Sequence, residues 1–127
     1  MKESVLSDKS FLFAVRIVKM YRYLCTEKNE YVLSKQLERS GTAVGALISE
    51  AIFAESKADF VHKYGIAQKE CNETLYWLRL LHATEFISEI QFQSMIDDAT
   101  ELMKMITASI ITAKKSLGRN KSKESSD

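Results

Sequence analysis

The sequence predicts an all-α fold, an antiparallel up-and-down four-helix bundle. Three observations predict it. Proline is absent and glycine occurs only four times in 127 residues, too few turn formers for an architecture of strands and corners. Apolar residues recur at three- and four-residue spacing over four long segments, which is the period of a helix face. The segments are joined by short polar links, and short links connect antiparallel neighbours.

The first helix is expected over about residues 8–25, capped by Ser7 or Asp8, whose side-chain oxygens can accept from an orphan N–H. It carries two apolar stripes. One is Phe11, Ala14, Val18, Tyr21 and Cys25; the other is Phe13, Ile17, Met20 and Leu24. A bundle helix needs one apolar face of about 100°, so the surplus stripe predicts a second partner, a further copy of the chain. The polar strip that remains is purely basic: Lys9, Arg16, Lys19 and Arg22.

The second helix is expected over about 31–53, burying Leu33, Leu37, Ser40, Val44, Leu47, Ile48 and Ala51. Gly41 and Gly45 share one face. Each interior glycine costs about 1 kcal/mol against alanine, so the pair marks a close approach, by a neighbouring helix backbone or by a ligand. The third helix, about 57–83, has Ser56 as its cap with Asp59 three residues on. Its stripe is Phe60, Tyr64, Ala67, Cys71, Leu75, Leu78 and Leu81. The fourth, about 88–117, starts at Ser88 and repeats Phe92, Met95, Ala99, Leu102, Ile106, Ile110, Ala113 and Leu117, the heptad of a bundle seam. Gly118 reads as its C′ residue, and 118–127 as a polar disordered tail. Residues 1–117 then form one domain.

Several function classes are disfavoured. Met1 to Ser10 has no apolar core for a signal peptide. The longest uncharged apolar runs, Ser40 to Ser49 and Met105 to Ala113, fall short of the ~20 residues of a membrane span. Cys25 and Cys71 lie within apolar helical patterns and read as reduced thiols. A cytoplasmic protein is expected. A di-iron bundle needs Glu-x-x-His pairs on two helices, but the two histidines, His62 and His82, both fall on the third, about 30 Å apart at helical rise. Neither metal, cofactor, small-molecule substrate nor catalytic residue is expected. Glu50, Glu70 and Glu73 read as structural carboxylates in a polar network with Gln36 and Arg39, and Glu50 or Glu73 is expected to pair with Arg39 across helices.

Charge is uneven. Residues 1–40 carry eight Lys and Arg against five Asp and Glu, residues 41–113 five against ten, and residues 114–127 five against two. Such asymmetry suits nucleic-acid contact, and equally suits self-association.

The run from Leu33 to Ala51 (LSKQLERSGTAVGALISEA) resembles a signature of the bacterial 23S rRNA intervening-sequence proteins. Ser56 to Phe60, Ile66-Ala67, Lys69-Glu70, Glu73-Thr74 and Tyr76-Trp77-Leu78 continue the likeness, and the Lys9 to Tyr23 helix fits it. Gln36, Arg39 and Glu50 match the pattern, whereas Ala43 and Leu47 replace a serine and an asparagine common in the family. The resemblance implies an antiparallel four-helix bundle and, for several members, a homopentameric ring. A group of similar fold, the accessory variability determinants of diversity-generating retroelements, binds nucleic acid, although this chain is much less basic. Two function classes follow. In the first, a non-catalytic homo-oligomer associates with structured RNA or other nucleic acid through Lys9, Arg16, Lys19, Arg22, Lys114, Lys115 and Arg119. In the second, the oligomer is a structural or protein-binding scaffold.

Overall fold

The computed structural model describes residues 2–125, with side-chain surroundings from residue 5 to residue 118. Four helices follow one another: α1 (Lys2–Glu27), α2 (Leu33–Ala51), α3 (Lys57–Ala83) and α4 (Glu89–Ser125). Each packs antiparallel on the next. The α1–α2, α2–α3 and α3–α4 seams are extensive, and the closing α1–α4 seam is thin.

The stripes of α2, α3 and α4 face inward as their spacing requires. Leu37, Val44, Ile48, Tyr64, Ala67, Leu78, Leu81, Met95, Ala99, Leu102 and Ile106 are all buried. Between α2 and α3 the buried hydroxyls of Ser40 and Thr74 share a 2.9 Å hydrogen bond, which keeps two polar groups satisfied inside an apolar layer. On α1 it is Phe13, Ile17 and Leu24 that enter the core, joined by Leu6.

Three boundaries differ from expectation. α1 starts at Lys2 rather than near Asp8, because burying Leu6 outweighs a surface cap at Ser7 or Asp8. α2 starts at Leu33 rather than Tyr31, because the Glu30 side chain caps it. That carboxylate is buried and accepts from the N–H groups of Val32 (3.1 Å), Leu33 (3.0 Å) and Ser34 (3.0 Å). α4 does not stop at Gly118. Where a disordered tail was expected, the chain stays helical to Ser125, and residues 126–127 lie outside the described residues. One interior glycine costs only about 1 kcal/mol, and the Lys and Arg residues that follow suit the negative end of the helix dipole.

Two expected caps hold. Ser56 Oγ accepts from Asp59 N at 3.1 Å. Ser88 Oγ accepts from Gln91 N at 3.1 Å while Gln91 Oε1 accepts from Ser88 N at 2.8 Å, a reciprocal capping box. α3 ends in a Schellman turn: Phe86 N donates to Leu81 O and Glu85 N to His82 O, with Glu85 in the left-handed region at φ 67°.

Glu30 carries a prediction. Glu30→Ala strips three N–H groups of their charged acceptor and should cost about 2 kcal/mol in chemical denaturation. Glu30→Gln, which retains an acceptor oxygen, should lose less. Equal stability of all three proteins would remove the capping role.

Candidate self-association and nucleic-acid surfaces

At 100° per residue, α1 has a solvent face opposite Leu6, Phe13, Ile17 and Leu24. Val5, Asp8, Phe11, Leu12, Val15, Lys19 and Arg22 lie on that face, and all are exposed. Its first half is apolar, with Phe11 67% and Leu12 62% exposed. Its second half is cationic. Beside Phe11 and Leu12 a shallow groove runs between α1 and α2, floored by Gly45 and Ala46. A second exposed apolar patch lies just past the end of α2, where Ile52 and Phe53 are exposed, Phe53 to 84%; Ile111 is exposed separately on α4.

The basic strip expected on α1 divides in two. Lys9 is ion-paired with Glu101. The Arg16 guanidinium meets Asp98 Oδ2 at 2.5 Å and donates to Ser94 Oγ at 2.7 Å and Ser94 O at 3.3 Å. These two cations flank the solvent face on the side toward α4, and acids of α4 answer them there. Lys19 and Arg22 form no ion pair among the described residues and stand exposed. Lys114 and Lys115 are exposed on the far half of α4, and the side chain of Arg119 lies outside the described residues. The seven cations therefore do not form one continuous face. Exposed pairs such as Lys9–Glu101 contribute only about 0–1 kcal/mol each; their larger effect is to neutralise the strip.

The polar network expected among Gln36, Arg39, Glu50, Glu70 and Glu73 is not assembled. Arg39 is exposed and has no ion-pair partner among the described residues. Glu50 lies 3.7 Å from Lys63 instead, and Glu73 accepts from Trp77 Nε1 at 3.1 Å, one turn along its own helix. Gln36 and Glu70 are half-buried. Arg39 and Glu50 share α2, about 16 Å apart along the helix, too far to meet, while Lys63 and Trp77 of α3 reach Glu50 and Glu73.

Gly41 and Gly45 are spaced for a protein neighbour. A Cβ at Gly41 would fall 2.7 Å from Ile17 Cγ1, and one at Gly45 would fall 3.1 Å from Ser10 O. The close approach is therefore α1 itself, which leaves no room between the helices for a ligand at these positions. Among the described residues, no three His, Cys, Asp or Glu side chains lie near enough to share a metal ion, and no helix is long and apolar enough to cross a membrane.

The two thiols differ. Cys71 is buried, with Sγ 3.4 Å from Ala99 O, and burial pushes its thiol up from 9.0 to about 11. Cys25 is half-buried beside Ser34, and its hydrogen bond to Tyr21 is the first cause of that phenol's upward shift. At pH 8 a disulfide reagent should therefore modify Cys25 in the folded protein and Cys71 only after unfolding; rapid reaction of both thiols would contradict the burial. Because the Cys71 shift favours the neutral thiol, its contribution is complete below about pH 9 and is lost as pH rises through about 11. Unfolding midpoints should fall across that window in the wild type and fall less in Cys71→Ala.

Comparison with known proteins agrees with the fold. A crystal structure of a protein with unknown function from the S23 ribosomal protein family of Bacteroides thetaiotaomicron VPI-5482 is similar at 52% identity. The match has a TM-score of 0.86 and covers 87% of this chain and 98% of that one. No curated protein matches. The model of the 23S rRNA-intervening sequence protein family matches residues 2–108, so the chain belongs to that family.

Proposed function

We propose that the protein is a non-catalytic homo-oligomer, a closed ring such as a pentamer, that associates with structured RNA through the cations its own acids leave free. The solvent face of α1 carries this reading. Phe11, Leu12 and Val15 offer apolar surface that the bundle does not use, and Lys19 and Arg22 continue the same face. Two separate apolar surfaces, one on α1 and one at Ile52 and Phe53, suit head-to-tail contact, the kind that closes into a ring. A ring repeats Lys19, Arg22, Lys114 and Lys115 with its symmetry, so a few cations per subunit become a multivalent belt. The family's naming for ribosomal RNA intervening sequences makes RNA the first polymer to try.

Light scattering gives the mass, and gel shifts with structured RNA and duplex DNA at about 50 and 200 mM salt give the binding. The expected result is an oligomer that shifts RNA at low salt and releases it as salt rises. A monomer would sink the assembly, and an oligomer that shifts no nucleic acid would favour a second reading, a scaffold without RNA. The pairing of Lys9 and Arg16 with α4 supports that second reading.

A further inference from the structure

A different part of the bundle joins rings to unpaired cations. Two cavities adjoin at the C-terminal end of α3. One, of about 350 Å³, is lined by Tyr76, Arg79 and Phe92; the other, of about 520 Å³, by Tyr23, Lys28 and Phe86. His82 and Ala83 line both, so the two form one trough across the end of the bundle. Tyr76 is 54% exposed and is braced edge-on by Trp77 at 5.0 Å between ring centroids. His82 and Phe92 stack at 4.2 Å with only 7° between their planes. His82 is fixed from its other side, with Nε2 2.7 Å from Glu89 Oε2. The rings are thus held in place, which reduces the entropy lost when a flat ligand stacks on them.

The charges point to the ligand. Arg79 and Lys28 are exposed and, unlike Lys9 and Arg16, form no ion pair among the described residues. Glu85 is the one acid among the lining residues, and Glu89, outside the lining, is engaged with His82. Rings interleaved with free cations are the surface on which unpaired bases stack while their phosphates are neutralised. Lys19 and Arg22 precede Tyr23 on α1, so the cationic half of the α1 face leads toward this end of the bundle.

We propose that the trough spanning Tyr76, His82, Phe92 and Tyr23 binds a short single-stranded stretch of RNA, with bases on the rings and phosphates at Arg79 and Lys28. The proposal rests on the RNA reading above and adds a contact separate from the α1 face.

The test uses the full chain and fluorescence anisotropy with a labelled ten-nucleotide oligouridylate at low salt, compared with an abasic chain of the same charge. The oligouridylate should bind at least about tenfold more tightly than the abasic chain, because each stacked base contributes on that scale. Tyr76→Ala should erase that preference. Arg79→Ala should weaken both probes, and Lys9→Ala should weaken neither. Tyr76 is exposed, so its variant should melt like the wild type, and a circular-dichroism melt checks this. Equal binding of the two probes, or an undiminished preference in Tyr76→Ala, overturns the trough. If structured RNA still shifts in those cases, the α1 reading survives; if wild type binds no RNA at all, both fall.

Discussion

Phe11→Glu is expected to reduce the proposed oligomer to monomers without unfolding the bundle. Phe11 is 67% exposed and lies opposite the core stripe of α1, so the isolated bundle loses little when it changes. At an interface the change removes an aromatic side chain whose burial contributes about 2 kcal/mol, and it forces a carboxylate out of water at further cost. That loss recurs at every contact of a ring. Phe13→Glu is the matched contrast: Phe13 is 2% exposed, two residues and about 200° further round the helix, and its replacement should prevent folding. A head-to-tail ring makes a sharper demand. Phe53→Glu should also give monomers, because it spoils the other half of the same contact. Mixing the two variants should then yield heterodimers and nothing larger, since each pair keeps one intact contact and cannot extend. Unchanged mass for Phe11→Glu would remove α1 from the interface, and larger assemblies in the mixture would remove the head-to-tail geometry.

That contrast between Phe11 and Phe13 also marks the limit of what the chain shows before folding. Three-four spacing identified both stripes of α1, because periodicity is local. It could not say which stripe meets the core, since both are equally apolar; burial of Leu6, which is in register with Phe13, decides it. The α4 heptad was legible for the same local reason, as were the caps at Ser56 and Ser88. Glu30 was not, because its carboxylate reaches forward from a loop with no Ser, Thr, Asn or Asp at the capping position. Gly118 reads as a stop in the sequence, yet a glycine ends a helix only when the residues beyond it have no reason to continue, and α4 runs on to Ser125. Among the site residues, the fate of the basic strip was hidden for a different reason. Asp98 and Glu101 lie more than eighty residues from Arg16 and Lys9 in sequence, and only the bundle's closure brings them together. Arg39 is the converse case: its charge suits Glu50 and Glu73, but in the fold Lys63 meets Glu50 and Trp77 meets Glu73.

A large loss of stability is expected where α1 packs closely on α2. Gly41 is buried, and a Cβ there would sit 2.7, 2.8 and 2.9 Å from Cγ1, Cδ1 and Cγ2 of Ile17, which is itself fully buried. Real Cβ contacts do not reach such distances, so α1 must move outward or Ile17 must change rotamer in a packed core. Gly41→Ala gains about 1 kcal/mol of helix propensity and loses about 1–3 kcal/mol to overpacking, a net loss of up to about 2 kcal/mol. Gly41→Leu places three more carbons where one already collides, and the α1–α2 seam should open; a cooperative thermal transition should disappear. Gly45→Ala should do less, since its Cβ would meet Ser10 O at 3.1 Å, which a shift of a few tenths of an ångström relieves. A double-mutant cycle isolates the cause. Ile17→Ala alone should cost about 2–5 kcal/mol as a cavity. Combined with Gly41→Ala it should cost less than the two single losses together, by about 1–3 kcal/mol, because the new methyl occupies the space that Ile17 vacates. Strict additivity would mean that the two residues do not compete for that space, and the closest contact in the bundle would have to lie elsewhere.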